Sequence, residues 1–270
     1  MLQIAMWQSL CQLETILKMD SKTKNWRGNA KNFQDPTLCH LKPGTVNLSP
    51  AWFQQVHEVC FQFFITSGLI LICKQSSEYK LEVRAQMKAG TAGAHWQDEM
   101  QESAALIGAI LAIIHPQLFH QAIDAFRILA AHGADFVEDE AQLRQALDIW
   151  TSPFSALSVI TNRGTPLHRD AKGRNEWFDF LVALGEDNSL GTMAFPGLGI
   201  TVDYNPATMI AITGKVIRHG AEFQGGERAC ISYYMRNHVH DRLGIPAGTW
   251  MNFQIYEEQK RKEVNDGLEM

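Results

Sequence analysis

His168-x-Asp170 lies within Thr161-Asn-Arg-Gly-Thr-Pro-Leu-His-Arg-Asp-Ala-Lys-Gly-Arg-Asn175, and it puts an imidazole and a carboxylate on one short segment that reads as a strand running into a loop. Two such groups can grip one metal ion. Iron(II) sites that activate oxygen use two imidazoles and one carboxylate on one face and leave the other positions open for co-substrate and oxygen. The doublet is the only His-x-Asp in the chain. A doublet alone says little, so its surroundings must carry the argument.

The second imidazole comes from Asn205-Pro-Ala-Thr-Met-Ile-Ala-Ile-Thr-Gly-Lys-Val-Ile-Arg-His219-Gly220, which reads as a buried strand, a tight turn at Gly214 and a second strand that delivers His219. Further on, Arg228 opens Arg-Ala-Cys-Ile-Ser-Tyr-Tyr234, where strand alternation puts Arg228, Cys230, Ser232 and Tyr234 on one face. A cation buried beside a metal is costly unless a carboxylate pairs with it. Arg228 therefore points to a bound dicarboxylate such as 2-oxoglutarate, whose second anionic end would meet Arg163, with Ser232 on the same strand face as a further contact.

The elements that must position these groups change character at Ser155. Short strands punctuated by Gly, Pro and Asn follow, over 155–162, 176–184, 191–195, 199–204, 207–213, 216–222 and 227–236. They suggest an antiparallel sandwich and not a doubly wound sheet. The expected fold class is α+β, a double-stranded β-helix (jelly roll) core buttressed by helices from the N-terminal half. Helical spacing is present over 5–19, 95–114, 117–131 and 139–150, with Gly133 suited to a helix end, and Ser49-Pro50 reads as the start of a helix through Phe64. Gly68–Cys73 and Tyr79–Arg84 read as a hairpin. The expected organisation is an N-terminal helix and basic loop (1–35), a dioxygenase-like domain (36–245, helical support 49–150 and jelly-roll core 151–245) and a charged tail (246–270).

With 46% hydrophobic and 20% charged residues in 270, the composition is that of an ordinary globular chain able to bury a core. Five cysteines, an odd set without Cys-x-x-Cys spacing, argue against a disulfide framework or zinc ribbon and favour a reducing intracellular compartment. The apolar centre Ala104–Ile114 is too short to span a bilayer, so no membrane is expected, and the start lacks the basic region of a secretory signal. A net charge of −5 argues against a general nucleic-acid binder, yet one basic patch, Lys22, Lys24, Arg27 and Lys31 around Trp26, could hold phosphates while Trp26 packs or stacks.

Thr161-Asn-Arg163-Gly-x-x-x-His168-x-Asp170, His219-Gly220, and Arg228 opening the strand with Tyr233-Tyr234 resemble the iron(II)/2-oxoglutarate dioxygenase superfamily. Within it they are most similar to the TET/JBP family of nucleic-acid methyl-base oxygenases, especially its fungal branch. The resemblance covers residues 155–240. It implies that His168, Asp170 and His219 bind iron, that Arg228 and Arg163 hold 2-oxoglutarate, and that a nuclear, monomeric protein acts on DNA carrying a methylated base. One departure matters. Relatives acting on 5-methylcytosine can carry an acid three positions after the metal aspartate, where this chain has Gly173. Without that cytosine reader a larger base such as N6-methyladenine gains room, with Asp179 as a partner for its exocyclic N–H and Tyr234 as a further pocket residue.

Three rivals share parts of the pattern. His168-Arg-Asp170-Ala-Lys-Gly-Arg-Asn175 fits the catalytic loop of protein kinases, but the glycine-rich loop, the Val-Ala-Ile-Lys strand, Asp-Phe-Gly and Ala-Pro-Glu are all missing. A metal-binding cupin-like module without catalysis would draw on His238 and His240. A 2-oxoglutarate oxygenase acting on a peptide or small molecule would use the same metal and co-substrate residues.

Overall fold

The computed structural model describes residues 2–19, 27, 29–52, 60–65, 68–73, 80–171, 173–250, 254–255, 257–258 and 261. In chain order these form α1 (Leu2–Ser9), β1 (Gly44–Leu48), β2 (Cys60–Ile65), β3 (Gly68–Cys73), α2 (Ala92–Glu99), α3 (Gln101–Ile114), α4 (Pro116–Phe136) and α5 (Glu140–Asp148). The second half runs through β4 (Ala156–Thr161), β5 (Thr165–His168), β6 (Asp179–Gly185), β7 (Leu190–Phe195), β8 (Ile200–Asp203), β9 (Met209–Ile212), β10 (His219–Gln224), β11 (Arg228–Tyr234) and α6 (Asn237–Arg242).

Two antiparallel sheets make the jelly roll. One has the order β1-β4-β11-β6-β9 and the other β5-β10-β7-β8. The larger sheet is a shared wall, and strand alternation divides its side chains between two cores. Ala229, Ile231 and Tyr233 of β11, with Val159, Phe180 and Val182, face the helices. Leu181, Ala183 and Cys230 face the smaller sheet, where they meet Met193, Phe195, Tyr204 and Ala221. β6 is buried along its whole length for this reason. Phe154 stacks at 5.0 Å on Phe180 and 5.8 Å on Tyr233, which anchors the wall to the helical layer. Each such ring contributes roughly 2–3 kcal/mol by burial.

Local chemistry starts the helices. Thr91 caps α2 by accepting from the Ala94 N–H, the His115 ring accepts from Leu118 N–H ahead of Pro116 at the start of α4, and Asp139 caps α5. Met100 separates α2 from α3 within what the spacing presents as one helix. Gly133 does not end α4, which continues to Phe136 past a break at His132. It is small because α5 packs there, and a Cβ would come within 2.8 Å of Leu143. No helix among the described residues is long and apolar enough to cross a membrane.

Three expectations fail in the N-terminal half. The first helix stops at Ser9 and tightens into a 3-10 turn through Leu13, although Leu10, Leu13 and Leu17 still share the buried face. The segment after Ser49-Pro50 is no helix through Phe64. The Ser49 hydroxyl donates to the Ser155 carbonyl, Trp52 bridges Glu82, and Cys60–Ile65 is a strand, as its aromatic and β-branched content favours. β3 then pairs with β2, and among the described residues of 79–84 Leu81 and Glu82 make only isolated bridges, to Val137 and Trp52. β1 escaped the sequence reading because five residues ending at Ser49-Pro50 carry too little pattern.

The loop after β5 is tied down by Arg174, which donates to Asn237 and Asp241 of α6 and to the Pro246 carbonyl while lying 4.8 Å from the Trp177 ring. Trp177 and Phe178 therefore belong to the core and not to an exposed aromatic surface, with Phe178 edge-on to His115 at 5.3 Å. His240 is fully buried at 4.7 Å from Trp177. Burial lowers it to about 4, so between the usual value of 6.5 and about 4 the unfolded chain takes up a proton that the folded chain refuses. Stability then rises with pH through that window, by an upper bound of roughly 3 kcal/mol. We expect His240→Gln to make the fall in Tm between pH 6.5 and 4 shallower than in the parent protein. Parallel pH profiles would remove His240 from the acid response.

Candidate metal and co-substrate centre

β5 and β10 pair antiparallel with His168 directly opposite His219, and the register shifts between His219 and Ala221. Gly220 sits in that irregularity. A Cβ there would lie 2.9 Å from the Thr165 carbonyl and 3.0 Å from Leu167 N, so the glycine after His219 is required by the close approach of the two strands. The imidazole centroids are 4.3 Å apart. Asp170, just past β5, donates its backbone N–H to the Gly214 carbonyl at 2.9 Å, which fixes it against the β9–β10 turn. Its carboxylate oxygens then lie 3.5 Å from His168 Nε2 and 3.6 Å from His219 Nε2.

Each imidazole is oriented by the backbone two residues before it. His168 Nδ1 is 2.9 Å from the Pro166 carbonyl and His219 Nδ1 is 3.0 Å from that of Ile217. A carbonyl can only accept, so in the neutral ring Nδ1 carries the proton and Nε2 keeps its lone pair for a metal. Burial holds His219 below its ordinary value. Burial works to raise the Asp170 carboxyl, but the neighbouring His168, His219 and Arg27 outweigh it and hold it below the usual carboxylate range. The three side chains offer donor atoms within 4.8 Å of one another. Two imidazoles and one carboxylate fit iron(II) in kind and number.

Arg228 opens β11, only 5% exposed, with its guanidinium 4.8 Å from the Tyr204 ring and 5.1 Å from that of Phe223. Gly191 makes the room, since a Cβ there would stand 2.6 Å from Arg228 Nη1. No carboxylate pairs with this guanidinium among the described residues. The adjacent Glu227 is turned to the Leu41 N–H at 3.1 Å. A buried cation faced by two rings and no anion fits a carboxylate ligand. Arg163, pushed down to about 10 by burial, donates to the Arg27 carbonyl at 2.6 Å and lies 5.9 Å from Phe33. Both guanidiniums act on Cys230, whose thiol burial pushes up and whose Sγ is 3.2 Å from the Tyr204 hydroxyl. Cys230, Tyr204, Phe223 and Gly191 were not singled out from the sequence as the surroundings of Arg228. Alternation put Cys230 on the right face, but nothing local marked the other three.

Ser232 continues the interior face, opposite Ser158 and Leu181 in the ladder. The Tyr234 hydroxyl is 3.0 Å from Ser158 Oγ, which donates in turn to Asn47. Asp179 begins β6, buried against Gly214, whose other neighbour is Asp170 Oδ2. Burial first, and the charge of Asp170 second, push its carboxyl well above the usual range. Gly173 faces open space, with no atom within 4 Å of a Cβ placed there. Of the basic patch, Lys22, Lys24 and Trp26 lie outside the described residues. Arg27 Nη2 is 2.8 Å from Asp170 Oδ1.

The sequence model of the Tet/JBP family, the oxygenase domain of the 2OGFeDO superfamily, matches residues 72–237, which include all three metal-ligand candidates, Arg163 and Arg228. No curated protein matches the chain. Among solved structures, one of NgTET1 in complex with 5mC DNA aligns with a TM-score of 0.46 at 12% identity, covering 67% of this chain and 64% of that one. This chain therefore spans less than two thirds of that protein's length.

Replacing His168, Asp170 or His219 by Ala should each abolish stoichiometric iron(II) binding, read as metal content after desalting, since one of three protein ligands is lost. Full iron occupancy in Asp170→Ala would contradict the assignment. Arg228→Ala should weaken 2-oxoglutarate binding by about 10- to 100-fold, the worth of a charge-assisted contact, as titration calorimetry would show. Unchanged affinity would place the carboxylate elsewhere.

Proposed function

The chain belongs to the Tet/JBP family of oxygenases, and from that footing we propose that it oxidises the methyl group of a methylated base in DNA, using iron(II) and 2-oxoglutarate. The observation that carries the reading is the shared interior. His168, Asp170 and His219 close one end of a jelly roll whose inner wall presents Arg228, Cys230, Ser232 and Tyr234 in a line. Membership of a family of nucleic-acid methyl-base oxygenases supports DNA over a peptide or small molecule as substrate.

When bound, iron and 2-oxoglutarate together supply the oxidising power that breaks a methyl C–H bond with oxygen as co-reactant. The protein's own residues do the positioning. The Pro166 and Ile217 carbonyls would keep both imidazoles turned to the ion, and Arg228, set against the Tyr204 and Phe223 rings, would hold a co-substrate carboxylate. Arg163, whose charge acts on Cys230 as that of Arg228 does, would meet the other end. A ring methyl oxidised in this way leaves a stable hydroxymethyl group. An N-methyl becomes a hemiaminal that loses formaldehyde and returns the unmethylated base.

Either base must leave the duplex stack to reach the metal, so the pocket sets the choice. Gly173 withholds a cytosine-reading carboxylate and leaves open space, while Asp179, next to Asp170, would accept from an exocyclic N–H. This favours N6-methyladenine beside 5-methylcytosine. Lys22, Lys24 and Arg27 are assigned to DNA phosphates on the same reading, with Trp26 packing or stacking beside them, and a DNA substrate implies action in the nucleus. Nucleoside mass spectrometry after incubation with duplexes carrying either base tests the choice. N6-methyladenine should be lost at least as fast as 5-methylcytosine is oxidised. Gly173→Asp should depress the adenine activity more than the cytosine activity, and Asp179→Ala should impair both recognition events while sparing iron. Oxidation of 5-methylcytosine alone, or a ratio untouched by Gly173→Asp, would overturn this pocket.

A further inference from the structure

Trp52 carries two arginines. The Arg84 guanidinium lies 4.2 Å from its ring, and so does that of Arg236. Arg236 also lies 4.9 Å from the Tyr234 ring. Cations and rings thus alternate in the order Arg84, Trp52, Arg236, Tyr234, and the row ends at the tyrosine on the interior face of β11. Because Tyr233 pairs with Phe180, Tyr234 stands at the end of the wall where Asp179 begins β6 beside the metal carboxylate. The row therefore leads from the protein's rim to the metal end of the jelly roll.

The backbones that carry it are anchored. Trp52 and Glu82 exchange two main-chain hydrogen bonds of 2.8 Å, the Arg84 N–H donates to the Ser49 carbonyl at 3.2 Å, and that of Arg236 to Ser155 Oγ at 2.9 Å. Arg236 feels the Asp179 carboxyl only beyond ion-pairing distance. Among the described residues neither guanidinium has a carboxylate within ion-pairing distance, and the buried Nε of each has no hydrogen-bond partner. Burial and the repulsion of Arg236 both weigh against the Arg84 charge. Attraction to a ring is worth about 0.5–2 kcal/mol and only partly offsets two like charges gathered on one indole. A planar guanidinium that keeps its donors unused while its face is stacked is arranged for an anion that accepts in the guanidinium plane, as a phosphate does.

We propose that Arg84 and Arg236, held on Trp52, clamp phosphodiester groups of the strand that carries the target base, next to the nucleotide turned out towards the metal. The inference rests on the reading of DNA as substrate. It adds a backbone grip that is independent of which base is chosen. A base can leave its stack and stay out only if the flanking backbone is fixed, and phosphate contacts fix position without reading sequence.

The test is binding of a short duplex with one methylated base, followed by fluorescence anisotropy across 50–200 mM KCl (roughly the span over which phosphate contacts are lost). For the parent protein log affinity should fall linearly with log salt. Arg84→Gln and Arg236→Gln should each bind more weakly and flatten the slope by about 0.9, so the affinity lost across that span shrinks by about 3.5-fold for each arginine removed. Arg84→Lys keeps a cation and should keep the slope, which separates loss of charge from loss of packing. Melting temperature and 2-oxoglutarate affinity report that each variant is folded. Slopes equal to that of the parent in both Gln variants would overturn the clamp. Failure of the parent protein to bind any DNA would instead overturn the reading on which the clamp rests.

Discussion

The pairing of His168 with His219 across β5 and β10 is the contact on which the rest depends. Side chains on a strand alternate between faces, so a slip of one residue in this ladder would turn an imidazole out of the site. The register is pinned at Gly220, where a side chain would strike β5, and at Gly214, where one would strike Asp170 and Asp179. Two glycines thus define where three ligands can meet. The helices matter to the chemistry through the larger sheet. By packing Ala229, Ile231 and Tyr233 from behind, they hold the alternate residues Arg228, Cys230, Ser232 and Tyr234 towards the interior.

Charge is distributed as a site for ligands requires. Asp170 is held ionised, His219 is held neutral, and Arg228 is buried between aromatic faces without an anion among the described residues. Burying an uncompensated cation is unfavourable, and a fold bears that cost where the missing charge arrives with a ligand. Arg27 adds a constraint of its own. Its ion pair with Asp170 uses the carboxylate oxygen that also faces His168, so it competes with a metal ion for one ligand atom.

Much of the second half was legible in the sequence because its signals are local. Alternation in β11 and the Gly-punctuated strands from Ser155 onward placed the larger wall and its inward residues, and His219-Gly220 marked the second imidazole. The first half was read less well. Ser49-Pro50 is a helix signal in isolation, but Ser49 spends its hydroxyl on a distant carbonyl and Trp52 on a bridge to Glu82, and no local pattern announces either partner. Trp177 and Phe178 are aromatic neighbours whose sequence does not say what covers them, and α6 and His115 do so. Arg84, Trp52 and Arg236 lie far apart in the chain, and only the fold brings them into one row.

The central claim is that one interior couples 2-oxoglutarate turnover to a methyl group on DNA. Its most direct measurement is succinate formation by iron-loaded protein on duplexes that differ only in methylation. The account predicts turnover that rises strongly with the methylated duplex and is matched by oxidised or demethylated base in equal amount. Succinate formed at the same rate with unmethylated DNA, without any change in the base, would contradict it.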